Sequence, residues 1–200
     1  MISQPLKLGF LASGNGSSAR AIIAAIRAGD LAAEPRVLIS NNRNAPALAF
    51  AAEQRVPALH IPTQSDPDAA DERLVEALSA HGVELVVLSG YLRQLGPRTL
   101  AQYEGRILNI HPGPLPQFGG HGMYGRRVHE AVIATGVAES GIVIHLVDAE
   151  YDRGPVIARR RVPVEPGESA ESLEARVTGL EPDFFVETLK RIAEGALALP

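Results

Sequence analysis

The sequence RILNIHP at residues 106–112 combines an apolar run with an amide and an imidazole. Residues 106–110 predict a buried strand, and the Gly- and Pro-rich segment 113–120 predicts a loop directly after it. Open α/β sheets bind ligands beyond the carboxyl ends of their strands, which is where Asn109 and His111 fall. Because these two residues are two positions apart, an extended chain points them to the same side. The pair favours chemistry at a carbonyl group.

Apolar runs alternate with helical patterns along most of the chain. We predict strands at 6–12, 37–40, 57–61, 84–89 and 106–110, and helices at 19–28, 46–54, 68–81 and 97–103. Apolar strands separated by helices are typical of a mostly parallel sheet that is covered on both faces. The sequence therefore predicts a twisted α/β sheet.

The C-terminal part follows a different pattern. Strands predicted at 140–147 and 155–164 are joined by a short connection, which favours an antiparallel pair. Helices are predicted at 125–135 and 169–191, and Pro182 is expected to break or kink the second of them. With this pair, the predicted sheet has about seven strands.

Composition bounds the class of protein. No low-complexity or linker-like stretch divides the 200 residues, so we expect one domain spanning residues 1–200. Hydrophobic residues make up 46% and charged residues 21%, and no apolar run reaches the ~20 residues that a membrane span needs. The first residues show no signal-peptide pattern, so we expect a cytoplasmic protein that does not associate with membranes.

Charge and cysteine content narrow the function further. Acidic and basic residues are interleaved with a net charge of -4, so nucleic acid is not expected as a partner and small-molecule substrates are. Because there is no cysteine, disulfides, thiolate nucleophiles and Cys-based metal sites are excluded. The six histidines lack helical metal-ligand spacing, so we expect no metal. Both a monomer and a homodimer fit the sequence.

A second motif, SGNGSS at residues 13–18, follows the first predicted strand. Its glycines let the backbone approach an anion, while helix N-terminal amides and serine hydroxyls can donate to phosphate oxygens. The alternative is a plain turn with Ser17 or Ser18 as N-cap. Because the motif lacks the Gly-x-Gly-x-x-Gly spacing and the Lys of a Walker loop, we favour a single phosphate over a dinucleotide or a nucleoside triphosphate.

An acidic loop, DAEYDRG at residues 148–154, connects the last two predicted strands. A carboxylate beside an imidazole favours the protonated ring and can orient it, which makes this loop a candidate partner of His111. Taken alone, the loop is more simply interpreted as a solvated hairpin. His145, in the apolar strand before it, fits equally a core histidine with satisfied hydrogen bonds.

Four motifs carry a resemblance to one family: SGNGS at 13–17, SGYLR at 89–93, NIHP at 109–112 and YDRGPV at 151–156. Their order and spacing across nearly the whole chain closely resemble the phosphoribosylglycinamide formyltransferases, folate-dependent enzymes of purine synthesis. The resemblance implies a single-domain, Rossmann-like formyltransferase fold. It also implies transfer of a formyl group from 10-formyltetrahydrofolate to the amine of 5'-phosphoribosylglycinamide, by direct amine attack through a tetrahedral intermediate.

The resemblance further implies roles for individual residues. Asn109, His111 and Asp152 are the catalytic residues: Asn109 and protonated His111 donate to the oxyanion, and Asp152 keeps His111 charged and helps to move the proton. Ribonucleotide contacts are expected from Gly14, Asn15, Gly16, Ser17, Ser18 and Glu181. Folate contacts are expected from Leu92, Arg93, Gln94, Leu95, Asn109, Val147, Asp148, Ala149, Glu150 and Asp152. Two further candidates are His145 and Tyr124.

The chain departs from the family pattern at several positions. Ser18 stands where Asn is frequent, Pro67 where some members carry a folate-contacting arginine, and Pro182 where His is common. The segment FGGHGMYG at residues 118–125 is longer than in many members. Its glycines fit either a mobile lid or an ordered surface insertion.

Three other enzymes share the catalytic domain of this family: methionyl-tRNA formyltransferase, formyltetrahydrofolate hydrolase and the sugar-nucleotide formyltransferases. The first adds a basic tRNA-binding domain and the second a preceding regulatory domain, and neither is expected in this sequence. A non-catalytic nucleotide-binding module is the alternative from another class of function. The presence of Asn109, His111 and Asp152 together argues against it.

Overall fold

Seven strands form one mixed sheet in the computed structural model, which describes residues 4–200. The strands are β1 (Leu6–Leu11), β2 (Ala33–Ser40), β3 (Ala58–His60), β4 (Leu85–Leu88), β5 (Ile107–His111), β6 (Glu139–Leu146) and β7 (Val156–Pro163). Their order is β3-β2-β1-β4-β5-β6-β7. The strand order reverses direction between β1 and β4, and such a switch point opens a ligand crevice in α/β sheets.

Strand β6 alone runs against the direction of the others. Strands β1 to β5 pair in parallel, whereas β6 is antiparallel both to β5 and to β7. The predicted antiparallel pair of β6 and β7 is therefore confirmed, and β6 also forms a second antiparallel pair, with β5. This second pairing places Asn109 directly opposite His145.

Six helices within residues 4–200 cover the two faces of the sheet. They are α1 (Ser17–Ala28), α2 (Pro46–Glu53), α3 (Pro67–Ala80), α4 (Pro97–Gln102), α5 (Arg126–Thr135) and α6 (Ala170–Ala193). The core forms two clusters, and successive strand residues such as Phe10 and Leu11 belong to different ones because side chains alternate between sheet faces. The predicted fold class, a mostly parallel α/β sheet covered on both faces, is confirmed. No helix within residues 4–200 has both the length and the apolar character needed to cross a membrane.

The predicted start of β2 was wrong, and of the two alternatives predicted at Pro182 the break was wrong. Strand β2 begins at Ala33 rather than at Val37, since its first residues pair with β1 despite Pro35, and the register shifts beside that proline. Helix α6 runs through Pro182 without a break. Buried Val177 before the proline and buried Phe185 after it both pack into the same cluster, so tertiary packing outweighs the lost backbone hydrogen bond.

Buried Asp71 of α3 holds the start of α4. Its carboxyl oxygens accept hydrogen bonds from the Arg98 amide (2.8 Å), the Thr99 amide (3.0 Å) and the Thr99 hydroxyl (2.5 Å). The N-cap residue, Gly96, supplies no side-chain cap, and a Cβ at this position would collide with Asp71. Asp71 thereby caps α4 from a neighbouring helix and fixes the chain that leads from β4 into α4.

We predict that Asp71→Ala lowers the free energy of unfolding by about 2–3 kcal/mol, because two helix N-terminal amides and one buried hydroxyl lose their acceptor. The matched control is Glu72→Ala, which removes the exposed carboxyl of the next residue on the same helix. Urea denaturation of both variants checks this prediction. Equal loss of stability in the two variants would contradict the capping role.

Candidate functional site

The turn between β1 and α1 presents the first amides of helix α1 to a pocket. Gly16, the N-cap of α1, adopts a left-handed conformation (φ 64°, ψ 47°) and makes no side-chain cap. The first bonds beyond it are those of Ala19 N–H to Ser89 Oγ (2.9 Å) and of Arg20 N–H to the Gly16 carbonyl (2.9 Å). The amides of Ser17 and Ser18 precede Ala19 in the first turn of α1. Such amides have no acceptor within a helix and need one from outside it.

This geometry excludes Ser17 and Ser18 as the N-cap and is compatible with the alternative, a phosphate site. Neither Ser17 nor Ser18 is the N-cap, because α1 begins at Ser17 and its cap is glycine. A Cβ at residue 16 would lie 3.0 Å from Ala47 Cβ, so both the conformation and the space require glycine. The helix start is therefore lined by backbone rather than capped by a side chain, a geometry that is compatible with an anion.

We call the space in front of this turn the glycine-loop pocket. It is lined by Ser13, Gly14, Asn15, Gly16, Ser17, Ser18, Ser89, Gly90, Leu92, Ile110 and Glu181. All six expected ribonucleotide residues lie in it. Burial raises the pKa of Glu181 to about 7, so this carboxyl is easily kept neutral beside an anion.

His111, at the end of β5, is 3% exposed and is held at both ring nitrogens. Nε2 lies 2.7 Å from the Phe118 carbonyl, and Nδ1 lies 3.5 Å from Asp152 Oδ2. A carbonyl oxygen can only accept a hydrogen bond, so Nε2 carries a hydrogen. Nδ1 is therefore the atom that gains or loses a proton, and it faces the carboxylate.

The shift of the His111 pKa is opposite to the one that the sequence analysis expected. Burial lowers this pKa and outweighs the Asp152 carboxylate and the Phe118 carbonyl, which act to raise it. The net effect favours the neutral ring, whereas Asp152 was expected to keep His111 charged. The burial of the ring, which is a property of the tertiary structure, decides the sign.

Asp152 lies at the centre of the site with an unusual backbone. It adopts a left-handed conformation (φ 57°), and its side chain is 12% exposed. Oδ2 accepts a hydrogen bond from the Gly120 amide (3.0 Å), and Oδ1 lies 3.4 Å from His145 Nε2. Burial acts to raise the pKa of Asp152, but His145, His111 and the Gly120 amide together hold it below its usual range. The carboxylate is therefore kept ionised.

The FGGHGMYG segment (residues 118–125) contacts the site through its backbone. It supplies the Phe118 carbonyl to His111 and the Gly120 amide to Asp152. A Cβ on Gly119 would lie 2.9 Å from Asp152 Cβ, and the His121 ring packs edge-on against Tyr151 with centroids 5.9 Å apart. In this structure the segment is packed against the acidic loop.

A second space, which we call the acidic-loop pocket, lies on the other side of Asn109. It is lined by Leu88, Tyr91, Arg93, Gln94, Leu95, Asn109, His145, Val147, Asp148, Ala149, Glu150, Tyr151 and Asp152. All expected folate residues except Leu92 are among them. The Gln94 amide lies 3.4 Å from the Ala149 carbonyl and joins the two walls of the pocket.

Three predicted site residues lie outside the pockets that they were expected to line. His111 lines neither pocket, although its Nδ1 lies 3.5 Å from Asp152 of the acidic-loop pocket. Leu92 is 68% exposed and lines the glycine-loop pocket, where its amide donates to Ser13 Oγ. Tyr124 is 55% exposed, lines neither pocket and has the Arg127 guanidinium over its ring. Pro67, the first residue of α3, also lines neither pocket.

Sequence reasoning missed several lining residues. Tyr91 and Tyr151 in the acidic-loop pocket stand inside the quoted SGYLR and YDRGPV motifs, so the signal was present. Burial raises the pKa of Tyr91 to about 12, against the opposing effect of Arg93, so its hydroxyl stays a hydrogen-bond donor. Ile110 and Gly90 of the glycine-loop pocket likewise stand inside the NIHP and SGYLR motifs.

No group of three or more metal-ligating side chains is arranged to hold a metal ion within the described part of the chain, residues 4–200. The polar groups at the site are hydrogen-bond donors such as the Asn109 amide, two imidazoles, and the carboxylates of Asp148, Glu150, Asp152 and Glu181. Such a set can stabilise an oxyanion and move a proton.

Comparison with known proteins identifies the family. A family model described as formyl transferase matches residues 6–189. Phosphoribosylglycinamide formyltransferase of Mycobacterium tuberculosis is 38% identical over 96% of this chain and 86% of that protein. The chloroplastic enzyme of Vigna unguiculata is 38% identical over 94% of this chain, which spans only 61% of the plant protein.

A solved structure agrees with these sequence matches. Glycinamide ribonucleotide transformylase 1 from Symbiobacterium toebii superimposes with a TM-score of 0.88 at 34% identity, covering 98% of this chain and 92% of that one. The match of both sequence and fold over nearly the whole length shows that this chain belongs to the formyl transferase family.

Proposed function

We propose that this chain transfers the formyl group of 10-formyltetrahydrofolate to the amine of 5'-phosphoribosylglycinamide, giving formylglycinamide ribonucleotide and tetrahydrofolate. One observation carries the proposal: the end of β5 separates the two pockets. Asn109 lines the acidic-loop pocket, and the next residue, Ile110, lines the glycine-loop pocket. A donor bound in one pocket and an acceptor bound in the other would meet at Asn109, and Asp152 of the acidic-loop pocket lies 3.5 Å from His111 Nδ1. Relatives named phosphoribosylglycinamide formyltransferase support the choice of substrates.

The ribonucleotide fits the glycine-loop pocket. Its phosphate would accept hydrogen bonds from the amides of Ser17 and Ser18 at the positive end of α1. Glu181 lines the same pocket and can accept hydrogen bonds from ribose hydroxyls. Ser18 has a hydroxyl that can donate to the phosphate in place of the amide that many family members carry.

The folate fits the acidic-loop pocket. Its walls offer apolar side chains such as Leu88 and Leu95, together with backbone and side-chain polar groups of residues 147–152. A flat, hydrogen-bonding heterocycle requires this combination of apolar walls and a few placed polar groups. Tyr91 adds a hydroxyl donor to the contacts that the resemblance implies.

The reaction needs one proton to move while one bond forms and one breaks. The amine nitrogen attacks the formyl carbon, and the carbonyl oxygen becomes an oxyanion to which Asn109 donates. Neutral His111 can take a proton from the attacking nitrogen at Nδ1, and Asp152 stabilises the imidazolium that results. The imidazolium then returns the proton to the folate nitrogen as its bond to carbon breaks. No covalent intermediate with the protein forms.

Three features of the protein as a whole belong to the proposal. Residues 1–200 would act as one catalytic domain that uses two small-molecule substrates and no metal. We propose a cytoplasmic location and no nucleic-acid partner, with either a monomer or a homodimer as the working form. The chloroplast is named only for the plant relatives.

The proposed function is tested by following folate release from a 10-formyl folate analogue with and without the ribonucleotide. We expect release that requires the ribonucleotide in the wild type and is lost in His111→Ala, because Nδ1 relays the proton. Release without the acceptor would indicate a hydrolase instead. Absence of release under both conditions would indicate another acceptor or a binding module.

The Asn109→Ala variant should turn over about a hundredfold to a thousandfold more slowly, since an oxyanion donor is removed. Asn44→Ala, which truncates an exposed asparagine, is the matched control and should keep wild-type turnover. Steady-state kinetics of the two variants, with thermal unfolding to verify folding, check this. Near-normal turnover of Asn109→Ala would contradict the assignment of Asn109 as the oxyanion donor.

Glu181 should make stability depend on pH. Its pKa in the folded protein is about 7, above its ordinary value, because burial penalises the charged form. The folded state therefore binds the proton more tightly, and wild-type stability falls as pH rises from about 4.5 through about 7. Glu181→Gln cannot ionise, so its stability relative to the wild type should increase between pH 5 and pH 8.

Urea denaturation of Glu181→Gln and the wild type at both pH values measures this difference. The exposed Glu104→Gln serves as the control substitution. A difference between Glu181→Gln and wild type that is the same at the two pH values would show that Glu181 ionises without a penalty in the folded protein.

A further inference from the structure

His145 is a buried imidazole beside the catalytic amide, and the proposed reaction gives it no chemical step. It is 2% exposed and lies on β6 directly opposite Asn109 of β5. We propose that His145 is a positioning residue that fixes the side-chain amide of Asn109 in the orientation that donates to the oxyanion. This inference rests on the proposed function, because it assigns that donation to Asn109.

The two ring nitrogens of His145 have different partners. Nδ1 lies 2.8 Å from the Leu146 carbonyl, and Nε2 lies 3.1 Å from Asn109 Nδ2. A carbonyl oxygen only accepts, so Nδ1 carries the hydrogen. In that tautomer Nε2 has a lone pair and can only accept, which requires a donor opposite it. The Asn109 NH₂ group is that donor.

This pairing determines whether the NH₂ group or the oxygen of the Asn109 amide faces His145. An amide can rotate by half a turn and exchange its NH₂ group for its oxygen with little change in shape. If Asn109 rotated, its oxygen would face the Nε2 lone pair at hydrogen-bond distance, which is repulsive. The hydrogen bond to His145 therefore holds one N–H and leaves the second N–H of Asn109 free to donate to the oxyanion.

A competing arrangement exists in the same cluster. His145 Nε2 also lies 3.4 Å from Asp152 Oδ1. A doubly protonated His145 would donate to that carboxylate, and Asn109 would then turn its oxygen toward Nε2. The structure has Asn109 Nδ2, and not its oxygen, opposite Nε2, as in the first arrangement. The two arrangements differ in the number of hydrogens on the His145 ring, so they can be distinguished.

The first measurement is nitrogen-15 NMR of the histidine rings in the wild-type protein, with His145→Gln used to assign the signals. We expect one protonated and one unprotonated nitrogen, with the hydrogen on Nδ1. Two protonated nitrogens, or a hydrogen on Nε2 alone, would overturn the proposal. This readout needs no turnover, so it is independent of whether the proposed formyl transfer is correct.

The second measurement is a double-mutant cycle in the folate-release assay. We expect His145→Ala to lower kcat about tenfold to a hundredfold with little change in KM for either substrate. Only the orientation of the Asn109 amide, a hydrogen-bond donor, is lost in this variant. In the Asn109→Ala background the same substitution should have almost no further effect. Full and additive losses in both backgrounds would show that His145 does not act through Asn109.

A conservative variant distinguishes a loss of Asn109 positioning from a loss of folding. His145→Gln places an oxygen acceptor near the position of Nε2 and should recover most of the kcat that His145→Ala loses. Thermal unfolding of each variant verifies that it is folded. Equal kcat losses in folded His145→Gln and His145→Ala would contradict the positioning role, since an acceptor for Asn109 would then make no difference.

Discussion

The buried carboxylate of Asp152 is the group that joins the parts of the site. His111 comes from β5, His145 from β6 and the Gly120 amide from the FGGHGMYG segment, and all three approach its two oxygens. A carboxylate with little solvent exposure is stable only where hydrogen-bond donors or positive charge compensate for lost hydration: the Gly120 amide donates to Oδ2, and His111 adds a positive charge at Nδ1 when it takes up a proton. The left-handed backbone at Asp152 is held by the same contacts. The partners thereby fix both the charge and the position of the carboxylate.

Sheet topology explains why this carboxylate lies between two pockets. The parallel strands β1, β4 and β5 direct their following loops to one edge, where the cradle of residues 13–18 and the end of β5 meet. The reversed direction of β6 then brings His145 opposite Asn109 and returns the acidic loop over the site. The two pockets therefore meet at the end of β5, where Asn109 lines one and Ile110 the other. This arrangement suits a direct transfer, because neither substrate must move after binding.

Much of this could be predicted from sequence, and the failures have physical causes. The strand and helix alternation follows from apolar periodicity, and residues 13–18 and 109–112 carry side chains or glycines with a clear chemical meaning. Leu92 lines the glycine-loop pocket, unlike the other expected folate residues, because adjacent residues of the loop after β4 turn to opposite sides. The charge state of His111 depends on burial, which no local motif encodes. The contacts of Phe118 and Gly120 are made by backbone atoms, which every residue type possesses.

A structure of the protein with the ribonucleotide and a non-transferable folate analogue bound together would test the two-pocket arrangement most directly. The arrangement predicts the phosphate at the amides of Ser17 and Ser18, and the acceptor amine about 3–3.5 Å from the carbon that stands for the formyl group. That carbon should lie beside Asn109 Nδ2 and His111 Nδ1. Ligands bound with their reacting atoms on opposite sides of β5 and out of reach of each other would contradict it.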